Sequence, residues 1–153
     1  MHTHRSQGFT LIELLVVIAI IGILSAVVLA SLNTARQKGN DAAIQSNLSA
    51  IATQAEIWYS TNDNKYSAST GSICTHAGSI FADGVITKAI NATVIANGGT
   101  ALVCGVTASG YAVQSVMQTK NASNATQYWC IDSSGQATKA TTALGAGATT
   151  CPS

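Results

Sequence analysis

Few side chains in this 153-residue chain can do chemistry beyond packing. Four are cysteines, Cys74, Cys104, Cys130 and Cys151, all in the second half. No two form a C-x-x-C pair, so the spacing of a zinc ribbon or a dithiol redox centre is missing. An even number of scattered cysteines in a small domain reads as two disulfides, and disulfides persist outside the cytosol. Cysteines this few admit three pairings. Cys74–Cys104 with Cys130–Cys151 closes the shorter loops and is favoured, but sequence does not choose among them. Cys74-Thr-His76 brings two metal-capable ligands together without a second pair, a weak metal signal. An exposed histidine beside a disulfide is the expectation there. Asp63, Asp83 and Asp132 lie in turn-rich stretches without a D-x-D-x-D loop and read as solvated turn aspartates. His76 is the single histidine beyond residue 4, so no Ser/His/Asp grouping forms. Gly145-Ala-Gly147 lacks the strand, helix and third glycine of a dinucleotide site. The expectation is a protein without a catalytic centre, metal or cofactor.

The remaining chemistry-bearing residue is Glu13, and its surroundings are unusual. It is the lone charge in the 22 residues from Phe9 to Ala30, fifteen of which are Leu, Ile, Val or Phe. As a helix this run rises about 33 Å, close to the roughly 30 Å hydrocarbon thickness of a bilayer. A secretory signal core is shorter, about 7–15 apolar residues. Fifteen strongly apolar residues at about −0.3 to −0.6 kcal/mol each outweigh one acid costing on the order of 3 kcal/mol. The segment is therefore expected to insert in a membrane. Arg5 flanks one end while Arg36 and Lys38 flank the other, so basic flanks do not set the orientation. The cysteines favour a head outside the cytosol.

The order Arg5-Ser-Gln-Gly8-Phe9-Thr-Leu-Ile-Glu13, followed by unbroken apolar residues, resembles the N-terminus of type IV prepilins and type II secretion pseudopilins. The resemblance is close over residues 5–32 and extends by pattern alone to about residue 60. It implies a leader ending at Gly8, with the bond to Phe9 cut by a membrane prepilin peptidase. Phe9 would become the N-methylated N-terminus, and Glu13 would pair with the N-terminal amine of a neighbouring subunit. The further partners implied are identical subunits in a helical filament, an inner-membrane assembly platform, and membrane lipid before assembly. The physics of Glu13 agrees, because a carboxylate in hydrocarbon needs a cation or a proton. The chain departs from many pilins in having no proline in this helix; its one proline is Pro152. Local unwinding would have to begin at Gly22 or Ser25, two small residues that equally suit close helix contact. The paired cysteines lean toward a pilin, since major pseudopilins often lack them.

These residues need elements to position them. The expected fold class is α+β: a long N-terminal helix, membrane-spanning then amphipathic, packed on a small antiparallel sheet. The expected organisation is a cleaved leader over 1–8, a transmembrane and filament-core helix over 9–30, its amphipathic continuation over 31–60, and a disulfide-stapled head over 61–153. Ile44, Leu48, Ile51, Ala55 and Trp58 recur at helical spacing and form the apolar stripe of the continuation. Polar Asn33–Asn40, with Gly39-Asn40, suggests a bend or fray. In the head a short helix is expected over Gly84–Ile95, with Ile86, Ile90 and Val94 on one face. Strands are expected at Leu102–Val106, Tyr111–Met117 and Tyr128–Ile131. Turns fall at 61–65, 108–110, 121–124 and 132–135.

Charged residues make up 8% of the chain with a net charge of +1. That lacks the basic field of a dedicated nucleic-acid binder, so nucleic acid is not an expected partner. Trp58, Tyr59, Tyr66, Tyr111, Tyr128 and Trp129 are read as packing residues rather than base-stacking ones. Three N-x-S/T triplets, at Asn91, Asn121 and Asn124, are chance matches in a chain so rich in these residues. The leading reading is a structural filament subunit, held in the cytoplasmic membrane as precursor and then carried on the cell surface. The alternatives are a pseudopilin and, from another class, a secreted soluble binding protein cleaved near Ala30. A permanently anchored protein with an uncut leader is a further reading.

Overall fold

The computed structural model describes residues 8–152. The leader expected over 1–8, Arg5 included, lies outside the described residues except for Gly8. The chain divides into two compact units, one ending at Arg36 and the other running from Gln37 to Ser153.

In the first unit every residue from Phe9 to Arg36 is exposed. It consists of the first half of α1 (Leu11–Thr61). This helix is long and apolar enough to cross a membrane. A continuous apolar surface of this kind is far larger than a monomeric soluble protein leaves open to water. Helical hydrogen bonding is uninterrupted through Asn33–Asn40, so the fray suggested there is not seen.

The second unit contains the rest of α1, a 3-10 turn at Ile80–Ala82, α2 (Gly84–Ala96) and a four-stranded sheet. The sheet is formed by β1 (Val103–Val106), β2 (Tyr111–Lys120), β3 (Thr126–Asp132) and β4 (Ala137–Ala140), in that spatial order. All three pairings are antiparallel. Consecutive hairpins make this a meander, the simplest solution for short strands joined by tight turns. The fold is thus α+β, a long N-terminal helix, apolar in its first half, whose second half packs on a small antiparallel sheet. The fourth strand was not expected from sequence. Ala137-Thr-Lys-Ala140 has no run of β-branched or aromatic residues; its place comes from backbone pairing to β3, with the edge blunted by Lys139.

Ile44, Leu48, Ile51 and Ala55 are fully buried, and Trp58 packs partly buried beside them. They share one cluster with Ile86 and Ile90 of α2 and with Cys104, Val106, Tyr111, Val113 and Ile131 of the sheet. On α2 the inward face also includes Thr93, which is buried because its hydroxyl donates to Ala89 O at 2.8 Å, while Val94 is only partly buried. Asp83 starts α2 by accepting from the Val85 and Ile86 amides at 2.8 and 3.1 Å. Its carboxylate satisfies donors that a helix N-terminus otherwise leaves open.

Candidate processing and assembly site

The residues around the expected cleavage point are presented openly. Residues 8–10 precede the helix in irregular backbone, and Phe9 is 79% exposed. A methyl group on Gly8 would meet nothing within 4 Å. The Gly8–Phe9 bond is therefore uncrowded, irregular backbone just ahead of α1.

Thr10 and Glu13 are joined by three hydrogen bonds. The Thr10 amide donates to Glu13 Oε2 at 2.8 Å and the Thr10 hydroxyl donates to the same oxygen at 2.7 Å. In return the Glu13 amide donates to Thr10 Oγ1 at 3.3 Å. This is a capping box, in which the N-cap hydroxyl and the acid three residues later satisfy each other's amides. The signal, Thr-x-x-Glu at the start of an apolar run, was present in the sequence and was passed over there. An acid in the first turn also lies at the positive end of the helix dipole. Both local bonds end on Oε2.

In the head, Cys74 is bonded to Cys104 and Cys130 to Cys151. Cys74–Cys104 ties the loop after α1 to β1, and Cys130–Cys151 ties the C-terminal segment to β3. The C-terminal segment is held by more than this staple. Gln114, buried in β2, donates to Thr142 O at 3.1 Å and accepts from the Leu144 amide at 2.6 Å. Gly105 lets the chain pass over β1, because a side chain there would lie 2.0 Å from Ala148 O.

Asp132 is not the solvated turn residue expected from sequence. It is 3% exposed, and it accepts from the Ser134 amide and hydroxyl and from the Cys151 amide, at 2.9, 2.5 and 2.8 Å. Burial pushes its carboxyl pKa up, but the Ser134 hydroxyl and the Cys151, Ser134 and Gln136 amides together outweigh burial and hold it below the usual carboxylate range. Asp83 likewise is a cap rather than a free turn aspartate, whereas Asp63 is exposed. His76 is half-buried rather than exposed; its ring lies on Gly71 and shares a 3.0 Å hydrogen bond with Ser69. Among the described residues no three His, Cys, Asp or Glu side chains converge as metal ligands do.

One polar residue that organises the head escaped the sequence reading altogether. Asp41 is 5% exposed on α1 and accepts from the amides of Gln118 and Thr119 and from the Thr119 hydroxyl. The β2–β3 register shifts between Val116 and Lys120, so part of β2 bulges away from its partner strand. Bulged backbone loses ladder partners, and Asp41 supplies the missing acceptor. The aromatic residues are packing residues: Tyr66 lies 4.6 Å from Tyr59 and 5.0 Å from Tyr111, ring centroid to centroid.

An N-terminal capping box thus opens a long helix whose first half is apolar and exposed. Residues 3–29 match the model of the prokaryotic N-terminal methylation motif. The chain is similar to the type IV wide pilus major component PilA4 of Thermus thermophilus, 40% identical over 69 residues, which are 45% of this chain and 52% of that protein. It is also similar to the type IV major pilin protein PilA of Myxococcus xanthus, 38% identical over 59 residues, which are 39% of this chain and 27% of that protein. The chain thus matches about half the length of the first relative and about a quarter of the second. No solved structure matches it.

Proposed function

We propose that this chain is a prepilin, the precursor of a structural subunit in a type IV pilus-like filament. The observation that carries the proposal is the exposed apolar surface of residues 9–32, broken by a single acid and joined to a head with its own core. Lipid solvates that surface in the precursor, and neighbouring helices replace lipid in a filament. Contacts between identical subunits that do not close on themselves generate such a polymer.

A prepilin peptidase cuts after Gly8, where the backbone is irregular and uncrowded. The new ammonium at Phe9, N-methylated in this family, lies at nearly the same depth as Glu13. Within one subunit Thr10 stabilises the Glu13 carboxylate. During assembly the ammonium of a neighbour pairs with Glu13, relieves both charges and sets the axial register. The two disulfides suit a head that works outside the cytosol. The partners are the peptidase, an inner-membrane assembly platform, lipid, and further copies of this chain. The relatives named above, both pilus components, support a pilus over the shorter pseudopilus of a secretion system.

Intact mass and the N-terminal peptide, measured on sheared surface material and on membranes, test this. An N-methylated Phe9 start in the sheared fraction is the expected result. The same start confined to membranes would assign a pseudopilin. A start at Ser31 would mean a secreted soluble protein, and an intact Met1 a permanent anchor.

A further inference from the structure

A groove on the head runs between the start of the second half of α1 and residues of β2, β3 and β4. Lys38, Lys120 and Lys139 line it, together with the polar side chains of Gln45, Thr119 and Gln127. All three lysines are exposed. The chain has only seven Lys and Arg in total, so three on one concavity is a strong concentration. Asp41 is the sole acid in the lining, and its carboxylate is already engaged by Gln118 and Thr119. The other head acids lie elsewhere: Glu56 and Asp132 line a separate groove, Asp63 another, and Asp83 caps α2. The groove therefore carries a net formal charge of +2 with no free countercharge in its walls.

This arrangement fits one phosphate group. An ammonium has three donors, and Thr126 Oγ1 takes only one from Lys120, at 2.9 Å. Amide and hydroxyl side chains beside the lysines suit the hydroxyls that flank a phosphodiester. A nucleic-acid duplex presents a charge every 1.7 Å or so and calls for an extended basic track, not a single concavity. Chain position points to the source of the phosphate. Lys38 follows Ala30, the last residue of the apolar run, by only eight positions. Eight helical residues rise only about 12 Å, and basic residues next to a membrane span are drawn to anionic lipid.

We infer that this groove holds the headgroup of an anionic phospholipid of the phosphatidylglycerol kind while the subunit resides in the membrane. The inference rests on the membrane-inserted reading proposed above. It gives the head a second hold on the bilayer that must be released when the subunit enters a filament.

The full-length chain, reconstituted in lipid nanodiscs of phosphatidylcholine alone or mixed with phosphatidylglycerol, tests this through acetylation rates read by mass spectrometry. With phosphatidylglycerol, Lys38, Lys120 and Lys139 are expected to react about fivefold more slowly, while Lys65 and Lys88 are unchanged. In Lys139→Gln, Lys38 and Lys120 are expected to regain most of their reactivity. Equal rates in both lipids would overturn the site, and so would an equal slowing of all five lysines, which reports only a diffuse surface potential. Protection in phosphatidylcholine discs by added inorganic phosphate, or by a short DNA duplex, would overturn the lipid assignment in favour of that ligand. A chain that enters the discs but shows no protection removes this inference alone. A chain that fails to enter discs of either lipid overturns the membrane reading as well.

Discussion

The carboxylate of Asp41 receives the backbone amide of Gln118 at 2.6 Å, a contact between residues 77 positions apart that joins α1 to the bulge of β2. It solves a problem created by the fold: a register shift strips two partly buried residues' amides of their ladder partners. An acid at this point of the helix removes the deficit. Asp41→Ala leaves these amides without an acceptor and is expected to lower head stability by about 3 kcal/mol. Asp41→Asn, which keeps one oxygen, is expected to lose less than half of that. Urea unfolding of the full chain in detergent, followed by tryptophan fluorescence, measures both.

Glu13 has a local partner in Thr10 and a proposed one in the next subunit, and the two roles separate by mutation. Thr10→Ala removes the cap at a cost of about 1 kcal/mol to the first turn, and Thr10→Ser restores it. Glu13→Ala should insert in membranes normally yet fail to assemble. Filament yield in sheared fractions, against membrane content, is the measurement; a normal yield from Glu13→Ala would sink the pairing mechanism.

The Asp132 carboxyl is held below its usual range in the folded chain, so it stabilises the fold most where both states are ionised. That contribution is fully present above the unfolded value of about 4 and is lost as pH falls through the lower folded value. Denaturation midpoints should therefore drop between pH 4 and more acid conditions, and the drop should flatten in Asp132→Asn. Burial raises the Tyr66 hydroxyl pKa, with the hydrogen bond to Glu56 adding to it, and burial likewise raises that of Tyr111. Their contribution has the opposite sense: it is complete below about pH 10 and lost as pH rises through the folded values.

The disulfides enclose separations of 30 and 21 residues, for which loop-closure entropy gives about 3 to 4 kcal/mol each. Replacing Cys130 and Cys151 by serine should cost about that amount. Limited proteolysis should then cut first within the C-terminal segment, while the Gln114 bonds slow its complete release.

Two glycines should respond in opposite directions. Gly105→Ala drives a methyl group into the Ala148 carbonyl and is expected to destabilise by about 1–3 kcal/mol. Gly39→Ala, in an exposed helical position with nothing within 4 Å, should stabilise by up to about 1 kcal/mol. Thermal unfolding of the two variants beside the parent chain decides it.

The parts legible in the sequence were those governed by short-range periodicity. The stripe of Ile44, Leu48, Ile51 and Ala55 announces its buried face because residues three and four apart share one side of a helix. Phe9 to Ala30 announces a membrane-length helix because composition alone sets its solvent. The turns at 108–110 and 132–135 bounded strands whose centres were placed correctly. Even Thr10 and Glu13 were readable, as a cap three residues long.

What only the tertiary structure decided depends on partners distant in the chain. Ala137–Ala140 is a strand because β3 offers it an edge, not because of its side chains. Asp132 and Asp41 are buried because amides of Cys151 and Gln118 arrive beside them, and an aspartate in a sequence looks the same whether or not that happens. Lys38, Lys120 and Lys139 line one groove for the same reason. Local sequence determines backbone periodicity and which solvent a surface prefers; the satisfaction of buried polar groups and the convergence of charges are settled only when the chain closes on itself.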